Sequence, residues 1–571
     1  VRAAHRGLAN GSGRADRGGG AGLAARRGAG GRGGRAVAGG ILGHTAVHFV
    51  DPLHNPQPWA APDGSCITWN GEIYNWRSLA AQHGLDARND TQTLLLGLLA
   101  RGPAFITELD GQFAFVAQLA RGAAGPCTLV GRDRWGICPL VFGYTPEAWL
   151  ALGSTPETLQ AAGVSTVKSV PAGMWGWLHG TQLALQPFYR LPLNSATAQR
   201  AVEPSEVRRY ALQCVHSRIP AQPRELFTTL GGIDSQFVTA SVARALGGAF
   251  GGAITVVPWA LDAKHSDLPD VQATLALLHS EGIVIQHHVA VLHPDFVAQN
   301  LDRLIKLLGP DLFHLLCGLA EDLVAATAQQ HGGRVIMTAG GPDEAGRSYD
   351  RWTFLHRGLN EELAWYRLCE QFGSSEGVRA GLVFGERGLE NRVPLADLID
   401  LATRVCPEQK QRVLEEGDGL TLESLRMQSK IFWRQALAGL LPERCLAAQK
   451  QPIHGSTGAL AALHAVMAQD GLFAARRDAL AHSAWQRGWN GIVFGDLREL
   501  DQNNALTECQ LYALYRFSVL EPELFRCGGE QRYGKYVDYL PRSFDEPAQR
   551  VHKPLCYDWQ LGWDVPVRPI L

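Results

Sequence analysis

From about Ile41 onward, apolar positions come in short runs separated by turn residues. Ser65-Cys66-Ile67-Thr68-Trp69, Gly111-Gln112-Phe113-Ala114-Phe115-Val116 and Thr128-Leu129-Val130-Gly131 read as strands. Leu94–Leu99 with its flanks reads as a helix. This strand-rich stretch ends near Tyr189, and the polar run Leu193-Asn194-Ser195-Ala196-Thr197 reads as a linker. Beyond it the rhythm changes to alternation. Glu225–Thr229, Gly252–Val257 and Arg334–Thr338 have the composition of buried strands, and helical stretches such as Gln236–Leu246 and Leu319–Gln330 separate them. That order predicts a parallel sheet flanked by helices. The chain is therefore expected to hold one domain over 41–190 and a second over 205–527. A Tyr-, Trp- and Pro-rich tail, 528–571, has no readable period.

Residues 1–40 stand apart. They carry fourteen Gly and eight Arg against one acid, Asp16, and no helical or strand period survives such composition. The expectation is a disordered segment. An RNA-binding arm is the competing idea, but the segment lacks the aromatic side chains that stack on bases. A misplaced start or a shifted reading frame would also produce such a stretch.

Composition narrows the function classes. At 571 residues the chain is too long for one core. Hydrophobic residues make up 46% and charged residues 19%, with a net charge of −2, so nothing in the balance calls for nucleic acid or a membrane. Eleven scattered cysteines with no CxxC pair fit thiols in a reducing compartment rather than a disulfide framework or zinc site. There is no apolar run approaching a membrane span and no h-region, which points to a soluble cytoplasmic protein.

Two segments carry chemistry. Leu226-Phe227-Thr228-Thr229-Leu230 runs into Gly231-Gly232-Ile233-Asp234-Ser235, a strand, a glycine turn and a helix start. Such glycines let backbone approach a phosphate, and the helix N-terminus offers N–H groups to it. The motif alone is weak, because ordinary strand–helix turns share it. The second segment, Val335-Ile336-Met337-Thr338-Ala339-Gly340-Gly341-Pro342-Asp343-Glu344, is again a strand running into a glycine turn, here with an acidic pair. At the carboxyl edge of a parallel sheet, Asp234 and Asp343 would share a magnesium ion on pyrophosphate.

These segments resemble the asparagine synthetase family, whose synthetase domain has an S-G-G-x-D-S loop of the ATP-pyrophosphatase type and a later S-G-x-G-x-D-E loop. The likeness continues in order through Gln286-His287-His288, where the family has a histidine-bearing strand. Leu389-Glu390-Asn391-Arg392-Val393-Pro394-Leu395-Ala396-Asp397 resembles E-x-R-x-P-F-L-D. Ser429-Lys430-Ile431-Phe432-Trp433-Arg434, Leu441-Pro442 and Gln449-Lys450 resemble K-x-x-L-R, L-P and R-x-K. The resemblance implies a Rossmann-like parallel sheet of the ATP-pyrophosphatase type with ATP and Mg2+ as cofactors. Leu230, Gly231, Gly232, Asp234, Ser235 and Gly341 would bind the nucleotide, Asp234 and Asp343 would hold the metal, and Lys430 and Glu344 would be catalytic. Leu230 stands where the family has serine, and Ala396 where it has leucine.

The N-terminal half resembles class II glutamine amidotransferases. Trp69-Asn70-Gly71-Glu72-Ile73-Tyr74-Asn75 looks like N-G-E-I-Y-N and Asn89-Asp90-Thr91-Gln92 like S-D-T-E. Leu109–Phe115 looks like L-x-G-x-F-A-F, and Gly131–Leu140 like A-R-D-R-x-G-x-K-P-L. Ser169-Val170-Pro171-Ala172-Gly173 fits P-x-G near that domain's end. The implied fold is an Ntn-hydrolase-like αββα sandwich. By resemblance Asn70 and the Gly71 N–H form an oxyanion hole, Asp90 holds the glutamine amino group, and Glu72 belongs to the same site. The family's nucleophile is an N-terminal cysteine, and the first cysteine of this sequence is Cys66. Within Leu42-Gly43-His44-Thr45-Ala46-Val47, which matches L-G-H-x-R-L, Ala46 replaces the arginine that grips the glutamine carboxylate. Both departures predict an impaired glutamine site.

The resemblance implies an AMP-forming carbon–nitrogen ligase, with aspartate to asparagine as the default pair and a homodimer as the expected assembly. Its partners would be a carboxylic acid and an amine or ammonia donor, with no nucleic acid and no membrane. β-Lactam synthetases and lasso-peptide cyclases are relatives that close an amide within one substrate. A non-catalytic nucleotide-binding scaffold is the remaining alternative, and Asp234, Asp343, Glu344 and Lys430 together count against it.

Overall fold

The computed structural model describes residues 31–37, 40–46, 57–122, 125–155, 158–159, 161–164, 167–192, 199–260, 266–348, 365–366, 369–370, 372–374, 376–413, 427–448, 456–486 and 505–527. The expected linker at 193–197, the Gln449-Lys450 pair and the tail from Gly528 lie outside these residues. The chain divides into two compact units. One comprises Val1–Arg190 with Glu376–Asn391, and the other Leu191–Ser375 with Arg392–Leu571. The excursion of 376–391 into the first unit is not signalled by any composition shift. Its helix Glu376–Glu386 approaches the backbone so closely that a Cβ on Gly381 would meet the Ile137 carbonyl at 2.5 Å.

The first unit is antiparallel. Its main sheet runs in the order Gln182–Pro187, Met174–His179, Gly125–Arg132, Gly111–Gly122, Cys66–Ile73, Trp59–Ala60. Alternation puts Phe113, Phe115 and Ala117 on one face, where they meet Ile67, Trp69 and Ile73. Helices Trp76–His83 and Asp90–Arg101 close over that face through Leu79, Leu94, Leu95 and Leu98. A three-stranded sheet, Leu150–Gly153, Val141–Tyr144 and Val167–Ser169, and a hairpin make up the rest of the β content among the described residues.

That hairpin corrects the expectation for 31–37 and Gly40, while residues 1–30 lie outside the described residues. Gly31–Val37 is a strand, paired antiparallel with Gly40–Ala46 from Gly31↔Ala46 to Val37↔Gly40. A ladder is made by backbone N–H and C=O groups, so it forms without the side-chain period by which strands are recognised in sequence.

The second unit is an α/β layer structure. Four parallel strands lie in the order His287–Leu292, Gly252–Pro258, Leu226–Thr229, Val335–Met337. At the outer edge the Arg392 carbonyl accepts the Thr338 N–H at 2.9 Å. Helix Ile233–Leu246 follows the central strand. Helix Leu312–Gln330, capped by the Asp311 carboxylate, leads back to Val335–Met337. Pro294–Leu308 buries Val297, Leu301, Leu304, Ile305 and Leu308, the three-and-four spacing of one helical face. Helices Ala459–Ala468, Gly471–Gln486 and Ala505–Leu520 extend the helical layer. Among the described residues no helix is long and apolar enough to cross a membrane.

Candidate active site

The strands Leu226–Thr229 and Val335–Met337 are direct neighbours, paired Leu226↔Val335 through Thr228↔Met337. Their carboxyl ends therefore deliver the two glycine turns side by side, where an open parallel sheet binds ligands. The first turn opens helix Ile233–Leu246, which no side chain caps. Gln236 donates to the Gly231 carbonyl at 2.6 Å and accepts from Thr274 at 2.6 Å. The Ser235 hydroxyl accepts from the Gly231 N–H at 2.8 Å and donates to the Gly232 carbonyl at 2.9 Å. Ser235 thus takes, within the loop, the N–H that a phosphate oxygen would use. Around Gly232 a Cβ would meet nothing within 4 Å, so the loop is open on that side.

Leu230 does not join the open face. Its side chain is 2% exposed and packs with Ala253 and Val271, its N–H donates to the Ile254 carbonyl, and its carbonyl accepts from Thr255. The same Thr255 hydroxyl meets His287 Nε2 at 2.8 Å, so the histidine-bearing strand backs the loop. Burial and the adjacent His288 hold the His287 ring below the usual imidazole range.

The second turn needs its glycine. Gly341 has φ +113°, and a Cβ there would lie 2.4 Å from the Leu395 carbonyl and 2.7 Å from Ala396 Cα. The segment containing Ala396 is therefore the wall behind the turn. It is held by the buried Arg218–Asp397 ion pair at 2.5 Å and by Arg392, which donates to the Arg218 carbonyl at 2.7 Å.

Lys430 joins the two turns. It is 2% exposed and adopts φ +57° just before helix Ile431–Leu437, and its N–H donates to the Gly346 carbonyl at 2.9 Å. Its ammonium pairs with Asp343 Oδ1 at 2.7 Å and with Asp234 Oδ2. Residues 234, 343 and 430, remote in sequence, thus share one point of positive charge. Glu344 is buried beside this point. Its carbonyl accepts from the Trp365 indole at 2.7 Å and from Cys369, and its charge helps burial push the Cys369 thiol up. Two residues here carry no chemical signal in the sequence. Trp433 Nε1 donates to Asp234 Oδ1 at 2.8 Å, and an Asp267 oxygen lies 3.1 Å from where a Gly231 Cβ would be. Trp433 was hidden because it occupies an apolar position of the motif. Asp267 carries no motif at all.

In the first unit Gly71 is forced by geometry. It has φ +130°, and a Cβ would meet the Gln112 carbonyl at 1.8 Å across the strand pair. Asn70 before it is exposed and Glu72 after it is buried. Asp90 opens helix Asp90–Arg101 behind the Asn89 cap and accepts the Thr91 N–H at 2.8 Å. Trp69 and Thr91, neighbours of Asn70 and Asp90, are joined by an indole-to-hydroxyl hydrogen bond of 2.8 Å. Burial pushes the Asp90 carboxyl up to about 7 despite the backbone N–H groups that favour its charge. Ala46 ends its strand opposite Gly31. The Arg132-Asp133 pair of the A-R-D-R-like segment is scaffold. Asp133 accepts four backbone N–H groups at 3.0–3.2 Å, while Arg132 donates to the Gly136, Cys138 and Val170 carbonyls.

Comparison with known proteins adds to this geometry. A family profile described as a glutamine amidotransferase domain matches residues 21–188. Asparagine synthetase B [glutamine-hydrolyzing] of Escherichia coli (strain K12) is 24% identical over 443 residues, covering 73% of this chain and 75% of that one. A probable asparagine synthetase of Acanthamoeba polyphaga mimivirus is 24% identical, with 72% and 76% covered. The asparagine synthetase of Rattus norvegicus is 24% identical, with 61% and 66% covered. Among solved structures, a glutamine phosphoribosylpyrophosphate amidotransferase from B. subtilis aligns at 15% identity over 57% of this chain and 78% of its own, with a TM-score of 0.27.

Proposed function

Because this chain belongs to the asparagine synthetase family, we propose that its second unit activates a carboxylic acid with ATP and turns it into an amide. The chain is an ATP-dependent ligase of that kind, and aspartate to asparagine is the default substrate pair. The observation that carries the reading is the meeting of Asp234, Asp343 and Lys430 at the ends of adjacent parallel strands.

The chemistry runs in two steps. A carboxylate oxygen attacks the α-phosphorus of ATP, the bond to the bridging oxygen breaks, and pyrophosphate leaves with the electron pair. The nitrogen of an amine or ammonia then attacks the acyl carbon, AMP departs with the C–O bonding pair, and the nitrogen loses a proton. The open glycine turn accommodates the phosphates. Lys430 offsets the charge that builds on the transferring groups, and Glu344 is the carboxylate assigned to take up the proton.

Asp234 and Asp343 fit a divalent cation, since one oxygen of each already reaches a common positive charge and hard carboxylate oxygens suit Mg2+. When bound there, Mg2+ supplies the neutralisation of pyrophosphate. Lys430 has to leave at least one of its acids for that site to form.

The test is end-point chemistry with the full chain. Aspartate, ATP and ammonium should yield asparagine, AMP and pyrophosphate in equal amounts. ADP and phosphate as products would sink the adenylation reading. Ala46 favours a second reading for the nitrogen source, in which ammonia from solution or an amine on the substrate replaces glutamine nitrogen.

A further inference from the structure

Resting on that reading, we infer that Trp433 is a positioning residue that aims Asp234 at the cation, a device this chain adds to the family's K-x-x-L-R segment. Four observations carry it. The segment Lys430-Ile431-Phe432-Trp433-Arg434 puts tryptophan at the place of the motif's leucine. The Trp433 side chain is 0% exposed, so its polar atom must find a partner inside the protein. That partner is Asp234 Oδ1, at 2.8 Å. The ring is locked edge-to-face on Phe237, with centroids 4.9 Å apart and planes at 78°. Asp234 and Phe237 lie three positions apart in helix Ile233–Leu246 and so share a face. That one face receives both the indole N–H and the ring contact.

The consequence for Asp234 is a division of labour between its two oxygens. The indole N–H takes one lone pair of Oδ1 and fixes the carboxylate plane from behind. Oδ2 points to Lys430 and is the oxygen turned toward a cation. Asp234 therefore presents Oδ2 first to the metal. A leucine at position 433 packs but donates nothing, and the carboxylate is then free to turn both oxygens toward Lys430. Partners behind a metal ligand of this kind typically set affinity by about 10- to 100-fold when removed. The indole is a second donor besides the ammonium, so Asp234 retains one fixed partner when the ammonium moves away.

The test compares the wild-type full chain with Trp433→Phe, which keeps an aromatic ring against Phe237 and removes the donor, and with Trp433→Leu. Mn2+ binding is followed by electron paramagnetic resonance in the presence of a non-hydrolysable α,β-methylene ATP analogue. Affinity for Mn2+ is expected to fall about ten-fold in both variants, while affinity for the analogue without metal stays at the wild-type value. Equal Mn2+ affinity in wild type and Trp433→Phe overturns the inference and leaves the proposed function standing. A wild type that binds no Mn2+ with the analogue overturns both. If neither variant folds, the wild type with 15N-labelled indoles decides the matter. Sub-stoichiometric Mn2+ should broaden one indole N–H resonance far ahead of the others, and uniform persistence of all of them contradicts the placement of Trp433 beside the metal ligand.

Discussion

Two charge clusters, each built around a buried cation, look alike in composition and differ in what satisfies them. Around Arg132 and Asp133 the partners are mostly backbone groups, with Asp133 accepting four N–H groups and Arg132 donating to three carbonyls and to the Ser169 hydroxyl. Such a cluster needs no ligand to be complete. Around Lys430 the partners are two carboxylates delivered by separate strand ends, and the lysine adopts a left-handed backbone to reach them. Two acids brought together on one ammonium carry an excess negative charge. In the proposed function a cation and a polyphosphate offset that cost. The comparison separates scaffold from chemistry better than burial or motif does.

The largest effect that tests this contrast is at the lysine. Lys430→Met should lower ATP–pyrophosphate exchange by roughly 100- to 1,000-fold, measured at saturating substrate, with little loss of the cooperative unfolding signal. Arg132→Met should do the reverse. It leaves the Gly136, Cys138 and Val170 carbonyls without their donor and should cost about 3–5 kcal/mol in a denaturant titration. If both variants lose mainly stability, the distinction between the clusters fails.

Next is the turn itself. Gly341→Ala meets both a positive φ and the Leu395 carbonyl at 2.4 Å, and should destabilise the second unit by more than about 1 kcal/mol while raising KM for ATP. Gly232→Ala meets nothing within 4 Å, so its effect should appear in nucleotide affinity and hardly at all in thermal stability.

In the first unit the sharpening measurements concern glutamine. Restoring the guanidinium with Ala46→Arg should raise glutamine affinity by roughly 10-fold or more, the value of a charge-assisted contact, read by calorimetry. A further measurement in this unit is a pH dependence. Burial holds the folded Asp90 carboxyl near 7, above its unfolded value of about 3.9. The folded state therefore keeps a proton the unfolded state has lost, and stability declines as pH rises between those values. Asp90→Asn should flatten that decline in urea midpoints taken across the window. An unchanged slope would show that Asp90 is not the group responsible.

Much of this is legible in the sequence. The glycine turns, the acids behind them and Lys430 are polar residues in fixed order, and the alternation of strand and helix put both turns at one sheet edge. What could not be read depends on packing. Leu230 is a hydrophobe beside a phosphate loop, and only its burial against Ala253 and Val271 shows that it serves the core. Trp433 is an apolar symbol in a pattern until its N–H is seen on Asp234. The strand Gly31–Val37 is made by backbone bonds that glycine-rich composition conceals. Helix Glu376–Glu386 joins the first unit from the middle of the second, a long-range return that no local period encodes.

The central claim is that the acids and lysine at the two turns activate a carboxylate on ATP. The most direct test is exchange of labelled pyrophosphate into ATP by the full chain, with aspartate and a panel of other carboxylic acids, beside Asp234→Ala. Acid-dependent exchange in the wild type and none in the variant is the predicted result. Exchange that persists in Asp234→Ala, or its absence with every acid, contradicts the claim.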